Sequence, residues 1–274
     1  MTSEGLLFSA LCNPNAAILP RSFRLWLGRG HSPNRVGYND IALNQGSTLL
    51  TADFLGVGEN DKIMLSSLKV GGYTGNAVDF CYIQELNSDG SVAATYYWRE
   101  KTSGVGTKYT AGWYYKADTD PIGGGVVDDV ELTCGKGLWT VCTKTGYKLN
   151  FSGQVRATTK TIELAQGSTP TGNILPTTIK LSTLKVGGYT GNAVDFCYIQ
   201  KLNSDGSVAA TYYWREKTSG VGTKYTAGWY YKADTDPIGG GVVDDVDITP
   251  SEGLWVVCTK TGYTLTFPEL NLGK

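Results

Sequence analysis

The residues from Leu68 to Val130 return from Leu184 to Val246 with a single change, Glu85 against Lys201. A chain that carries one long string twice, at a constant offset of 116 positions, must find one local structure that serves both places. Beyond the string the copies drift but stay aligned. Gly137–Tyr147 matches Gly253–Tyr263 apart from Thr140 against Val256. Upstream, Ile41–Thr48 aligns with Ile162–Thr169 at an offset of 121, so the first copy holds five more residues between the two blocks. This places the units at about 36–155 and 156–274, behind an unrepeated arm of residues 1–35. Such a repeat is too long for a solenoid or a propeller blade and suits a self-contained domain with its own core.

Within each unit the local patterns are those of strands. Val78–Leu86 alternates β-branched and aromatic residues with polar ones, Asn87-Ser-Asp-Gly90 is a turn signal, and Ser91–Trp98 resumes the alternation, which predicts a hairpin. Thr107–Tyr115 predicts a further strand after the loop at Thr102–Gly106. Leu138–Thr143 and Tyr147–Phe151, with a turn at Thr145-Gly146, predict a last hairpin. No helix is expected in either unit beyond short turns near Ser66 and Ser182. The expected class is all-β: two tandem antiparallel β-sandwich or barrel-like domains of near-identical sequence, with an N-terminal extended arm.

Composition narrows the function classes. Lys plus Arg number 24 against 25 Asp plus Glu, with no basic block, which argues against nucleic acid as a partner. Near-zero net charge also weakens self-repulsion and eases ordered self-association. No apolar run approaches the length of a membrane span. His31 is the only histidine and lies in the arm, so no histidine-based triad fits within either repeat, and no two-histidine metal site fits in one chain. Ser66 with Lys69, and Ser182 with Lys185, form a Ser-x-x-Lys frame. Lys144-Thr-Gly146 and Lys260-Thr-Gly262 supply one of its usual companions, but no Ser-Asp-Asn occurs and the helices of that fold are not expected. No enzyme activity is expected.

Three groups of residues are candidates for chemistry. Tyr96 and Trp98, and Trp113 and Tyr115, each share one face of a strand, as do Tyr212 and Trp214, and Trp229 and Tyr231. Exposed, they would stack on a sugar or line an interface; packed together, they would form a stabilising cross-strand ladder. The loop bearing Asp118, Asp120, Asp128 and Asp129 recurs with Asp234, Asp236, Asp244 and Asp245. It offers oxygen ligands to Ca²⁺, although Asp-Pro and triple Gly are also ordinary turn chemistry. Cys81 and Cys142 recur as Cys197 and Cys258, leaving Cys12 and Cys134 without counterparts. The partition suggests disulfides within each repeat and a third from Cys12 to Cys134; the alternative is buried thiols in a reducing compartment.

Val36–Leu50, the Gly-Leu-Trp-Val at 253–256 and the end Leu149–Val155 resemble a class of uncharacterised, secreted tandem β-repeat proteins of bacteria. In that class the Val-Gly-Tyr segment commonly follows a cleaved signal peptide, so the resemblance implies an exported surface or extracellular protein, with no activity attached. The chain departs from this pattern at Met1–Cys12, where Glu4 replaces a basic region and the apolar run is short. Export by another route, a natural start elsewhere, and release as part of a virion are the three readings of that departure.

The expected function is a non-enzymatic structural or adhesive protein, in a filament, surface or virion assembly, whose partner is itself. The alternative is a carbohydrate-binding protein that uses both repeats on a surface glycan. The arm bears on the first. Phe23, Leu25 and Leu27 alternate with Arg24 and Trp26, Ile18 and Leu19 precede them, and Pro14 and Pro20 keep the approach extended. Residues 22–28 are expected to add as a strand to a sheet edge, on this chain or on a neighbour.

Overall fold

The computed structural model describes residues 36–56, 61–73 and 75–270. The expectations for the arm, and for Cys12 within it, lie outside these residues. The described chain is all-β. The first copy contributes β1 (Val36–Leu43), β2 (Gly46–Thr51), β3 (Lys62–Met64), β4 (Lys69–Gly71), β5 (Ala77–Leu86), β6 (Val92–Lys101), β7 (Tyr109–Tyr114), β8 (Glu131–Thr133), β9 (Gly137–Cys142) and β10 (Tyr147–Gln154). The second contributes β11 (Lys160–Leu164), β12 (Gly167–Gly172), β13 (Ile179–Lys180), β14 (Lys185–Gly187), β15 (Ala193–Leu202), β16 (Val208–Lys217), β17 (Tyr225–Tyr230), β18 (Asp247–Ile248), β19 (Gly253–Cys258) and β20 (Tyr263–Phe267). Single 3₁₀ turns occur at Leu65–Ser67 and Leu181–Thr183, where the sequence suggested short turns.

Every strand pair is antiparallel, and no sheet closes into a barrel. The first copy has sheets ordered β2-β9-β5-β6-β7, β1-β10-β4 and β3-β8; the second has β12-β19-β15-β16-β17, β11-β20-β14 and β13-β18. Buried residues fall into two clusters, one from each copy. In the first, Ile83, Trp98 and Trp113 of the large sheet meet Val70, Leu149 and Phe151 of the three-stranded sheet and Ile63 and Leu132 of the small one. Leu270 packs against both clusters.

The hairpin expected at Asn87–Gly90 forms between β5 and β6. Gly90 adopts φ +83°, the Asn87 N–H donates to Ser91 O (2.8 Å), and the Asp89 carboxylate accepts the Ser91 N–H (2.9 Å). The last expected hairpin does not form. β9 pairs with β2 on one side and β5 on the other, so no edge is left for β10, which crosses to pair with β1 and β4. Thr143–Gly146 is therefore a corner between two sheets, with Cys142 and Tyr147 turned into the same core.

The one change within the repeated string has a partner outside it. Glu85 accepts a salt bridge from Lys136 at 2.7 Å. In the second copy the signs are reversed, and Lys201 meets Glu252 at 2.8 Å. All four side chains are partly buried, so a like-charge pair here would be incompletely screened. Glu85→Lys would face Lys136 and is expected to cost about 1 kcal/mol. Adding Lys136→Glu recreates the second copy's pair and is expected to recover most of it. Urea unfolding midpoints of the two variants check the cycle.

Candidate functional site

Six of the eight candidate aromatics are buried in the cores. Tyr96, Trp98 and Trp113 are at most 3% exposed, and Tyr212, Trp214 and Trp229 at most 4%. Trp98 meets Trp113 edge-on at 5.3 Å between centroids, and Trp214 meets Trp229 in the same way. The strands place these rings inward, and the fully buried Trp113 indole donates to Leu68 O at 2.9 Å. They are the cross-strand ladder of the core, with no ring face left for a sugar. Only Tyr115 and Tyr231 are exposed, each packed against the tyrosine of the neighbouring strand.

The acidic loop does not gather its carboxylates. Asp129 accepts hydrogen bonds from both the hydroxyl and the N–H of Ser66, which ties the loop to the first 3₁₀ turn; Asp245 does the same for Ser182. Asp118 and Asp234 offer backbone carbonyls to arginines, while Asp120, Asp128, Asp236 and Asp244 lie exposed. Among the described residues no three acidic, histidine or cysteine side chains form a group able to hold a metal. The same contacts dissolve the Ser-x-x-Lys frame: Lys69 donates to the Ser66 carbonyl (2.7 Å), and the Ser66 hydroxyl is taken by Asp129.

The cysteines sit as cross-strand neighbours. Cys197 and Cys258 are bonded, with Cα atoms 4.3 Å apart. Cys81 and Cys142 occupy the same register with their sulfurs 2.8 Å apart, as thiols. The proton shared with Cys142, together with burial, raises the Cys81 thiol well above its ordinary range. Cys134 is buried with its thiol against Phe54 O, and burial pushes it up to about 12, so it is no thiolate at neutral pH.

An unforeseen arginine organises the outer face of each large sheet. Between Val78 and Tyr82 of β5 the register with β6 shifts, and Asp79 takes φ +58° within this bulge. Asp is among the few residues that tolerate that conformation. Its carboxylate receives the Arg99 guanidinium at 2.6 Å and Lys116 at 2.7 Å. Arg99, buried, also donates to Asp118 O and Lys116 O and lies over the rings of Tyr109 and Tyr114. Burial acts to raise the Asp79 carboxyl, but bonds and charge from Arg99 and Lys116 outweigh it and hold the group below the usual carboxylate range. Arg215, Asp195 and Lys232 repeat the arrangement.

The copies meet reciprocally. Trp139 of β9 lies on Gly206 in the second copy's hairpin turn, and Trp255 of β19 lies on Gly90 in the first copy's. A Cβ on Gly206 would sit 3.1 Å from the Trp139 ring, and one on Gly90 would sit 2.5 Å from Trp255. Gly137 meets Pro170, and Gly253 meets Leu49. At these four contacts this is the self-complementary pattern of a two-fold interface, built inside one chain. Its two ends differ. The Ser47 N–H bonds Ser204 O at 2.9 Å beside Gly46, whereas the corresponding Gly167 has nothing within 4 Å. Near this open end lies a cleft of about 330 Å³ lined by Asn87, Cys134, Lys136, Lys160, Ile162 and Pro170. Its lysines are already paired, Lys136 with Glu85 and Lys160 with Asp61.

Asp53 is buried at the same junction. Asn39 donates to its Oδ2 at 3.0 Å, while Oδ1 and the nearby Ser251 hydroxyl, both buried, lack a standard hydrogen bond among the described residues. Ser251 comes from the second copy and holds φ +58° where the first copy has Gly135. Burial pushes the carboxyl from 3.8 to about 7, against the opposing pull of Asn39 and Ser251. A protonated Oδ1 can donate to Ser251 and so satisfy both atoms. The chain matches no protein-family model, no curated protein and no solved structure.

Because the Asp53 pKa is higher folded than unfolded, the folded state keeps its proton while the unfolded chain loses it. Through this group stability should fall as pH rises from about 4 to about 7, by on the order of 1 kcal/mol per unit, and then level off. The salt-bridged Asp79 and Asp195 act oppositely: their stabilisation is present above about pH 4 and is lost on further acidification. Asp53→Asn keeps an acceptor for Asn39 and carries no titrating proton. Its urea midpoint should be flatter than wild type between about pH 4 and 7 and higher at pH 8.

Proposed function

We propose that this is a non-enzymatic structural or adhesive protein, exported and exposed on a cell surface or in an extracellular assembly, as a subunit of a filament, a surface layer or a virion. It is organised as two tandem sandwich-like domains, 36–155 and 156–274, behind the arm 1–35. The observation that carries this reading is the reciprocal junction. It is made by β2, β9, β12 and β19 with the two hairpin turns, and these strands come from the segments in which the copies have drifted. In each large sheet the edge opposite the junction is β7 or β17, which belongs to the repeated string. One chain therefore offers the same surface twice, in a fixed relative orientation. Two identical surfaces on one rigid body give avidity on a repetitive partner and growth of an assembly. No helix among the described residues is long and apolar enough to cross a membrane.

A glycan-binding role remains as the second reading, supported only by the matched exposure of Tyr115 and Tyr231. Light scattering of the full chain over a range of concentrations, with a glycan array on the same preparation, separates the two. The structural reading expects concentration-dependent growth in particle size and no glycan signal. A monodisperse chain whose glycan signal is lost in Tyr115→Ala/Tyr231→Ala supports the alternative. A monodisperse chain with no glycan signal removes both.

A further inference from the structure

Most large hydrophobic side chains exposed in one copy are exposed in the other: Val92 with Val208, Val105 with Val221, Tyr115 with Tyr231, Val126 with Val242. Among the described residues three break this rule, Val36, Tyr38 and Met64, all in the first copy. The second copy has Ala157, Thr159 and Lys180 at the aligned positions. The three lie together. Val36 and Met64 line a cleft of about 430 Å³ with Leu55 and Ile63. Tyr38 stands on the same face of β1 as Val36, and its cross-strand partner Ser152 lines that cleft too. An apolar cleft on one copy, with its lip replaced by small and polar residues on the other, calls for an occupant that only the first copy has.

The arm is such an occupant. It joins the first copy at Val36, on the wall of the cleft, and it carries Phe23, Leu25 and Leu27 at alternate positions. Residues 29–35 separate the segment 22–28 from Val36 and include Gly30 and Pro33, residue types suited to reversing the chain. Seven residues span up to roughly 25 Å, enough to return along β1. We infer that residues 22–28 of this chain dock intramolecularly in the cleft bounded by Val36, Leu55, Ile63 and Met64, covering Tyr38 as they do so. This goes beyond the assembly reading and holds whether or not the chain assembles, since particle size tests that reading and protection of the arm tests this one.

The test uses the full chain and trypsin, which can cut after Arg24 and Arg29. Met64→Lys installs the residue that the second copy carries at the aligned position, so the strand tolerates it. It should speed cleavage at these sites about tenfold, as expected from losing the burial of one large side chain. The mirror variant Lys180→Met should leave cleavage unchanged. Thermal midpoints close a cycle: Met64→Lys lowers the midpoint of the wild-type chain but has no further effect once Leu25→Asp has displaced the arm. Tyr38→Thr serves as a second lesion with the same expected pattern. Equal cleavage of wild type and both cleft variants, or a Met64→Lys effect that simply adds to that of Leu25→Asp, overturns the inference. Protection that fades on dilution also overturns it, because the arm would then be held by a neighbour.

Discussion

Two indoles laid on two glycines hold the halves of this chain in one arrangement. Gly90 and Gly206 are glycines first because their hairpin turns require positive φ. The same lack of a side chain leaves a flat patch of backbone, and Trp139 and Trp255 cover it from the opposite copy. A residue that the turn already needs thus provides the seat for the largest side chain at the junction. The contact is made twice with exchanged roles, so neither copy can shift against the other without uncovering both rings. The buried Asp53, the cleft beside Cys134 and the outward orientation of the repeated strands all follow from that registration.

Each large sheet also has a polar lock on its outer face. A buried guanidinium with no partner would destabilise the fold by several kcal/mol. Arg99 is instead met by a carboxylate, two backbone carbonyls and two tyrosine rings. The bulge that brings Asp79 into place, and the loop after β7 that offers its carbonyls, are thereby fixed together. Much of the loop that looked like a cation site is shaped by this arginine and by the bond from Ser66 to Asp129.

How far the sequence could be read depended on the range of the interaction. Alternation and the Asn87–Gly90 turn are local, and β5, β6 and β7 lie where that alternation placed them. Pairing is not local. Leu138–Thr143 and Tyr147–Phe151 look like two arms of a hairpin, and only the occupancy of both edges of β9 sends β10 to another sheet. Alternation puts Tyr96 with Trp98, and Tyr212 with Trp214, on one side of a strand, and both pairs lie in the cores, but which face is buried depends on the rest of the sheet. Arg99 gave no signal, because its partner lies across a bulge that alternation does not encode. The charge reversal, by contrast, is present in the sequence, half inside the string and half beyond its end: Glu85 becomes Lys201 while Lys136 becomes Glu252. It stayed silent until β5 and β9 were known to be neighbours.

That reversal bears on how the two halves of the gene can change together. Nearly identical tracts in one reading frame invite recombination that overwrites one with the other. Copying the first string onto the second would put glutamate at position 201 against Glu252, and the opposite exchange would put lysine at 85 against Lys136. Either event erases the last difference inside the string and leaves a like-charge pair beside the junction. The polarity of one ion pair therefore opposes complete homogenisation of the repeat, unless a second change, beyond the end of the string, happens with it.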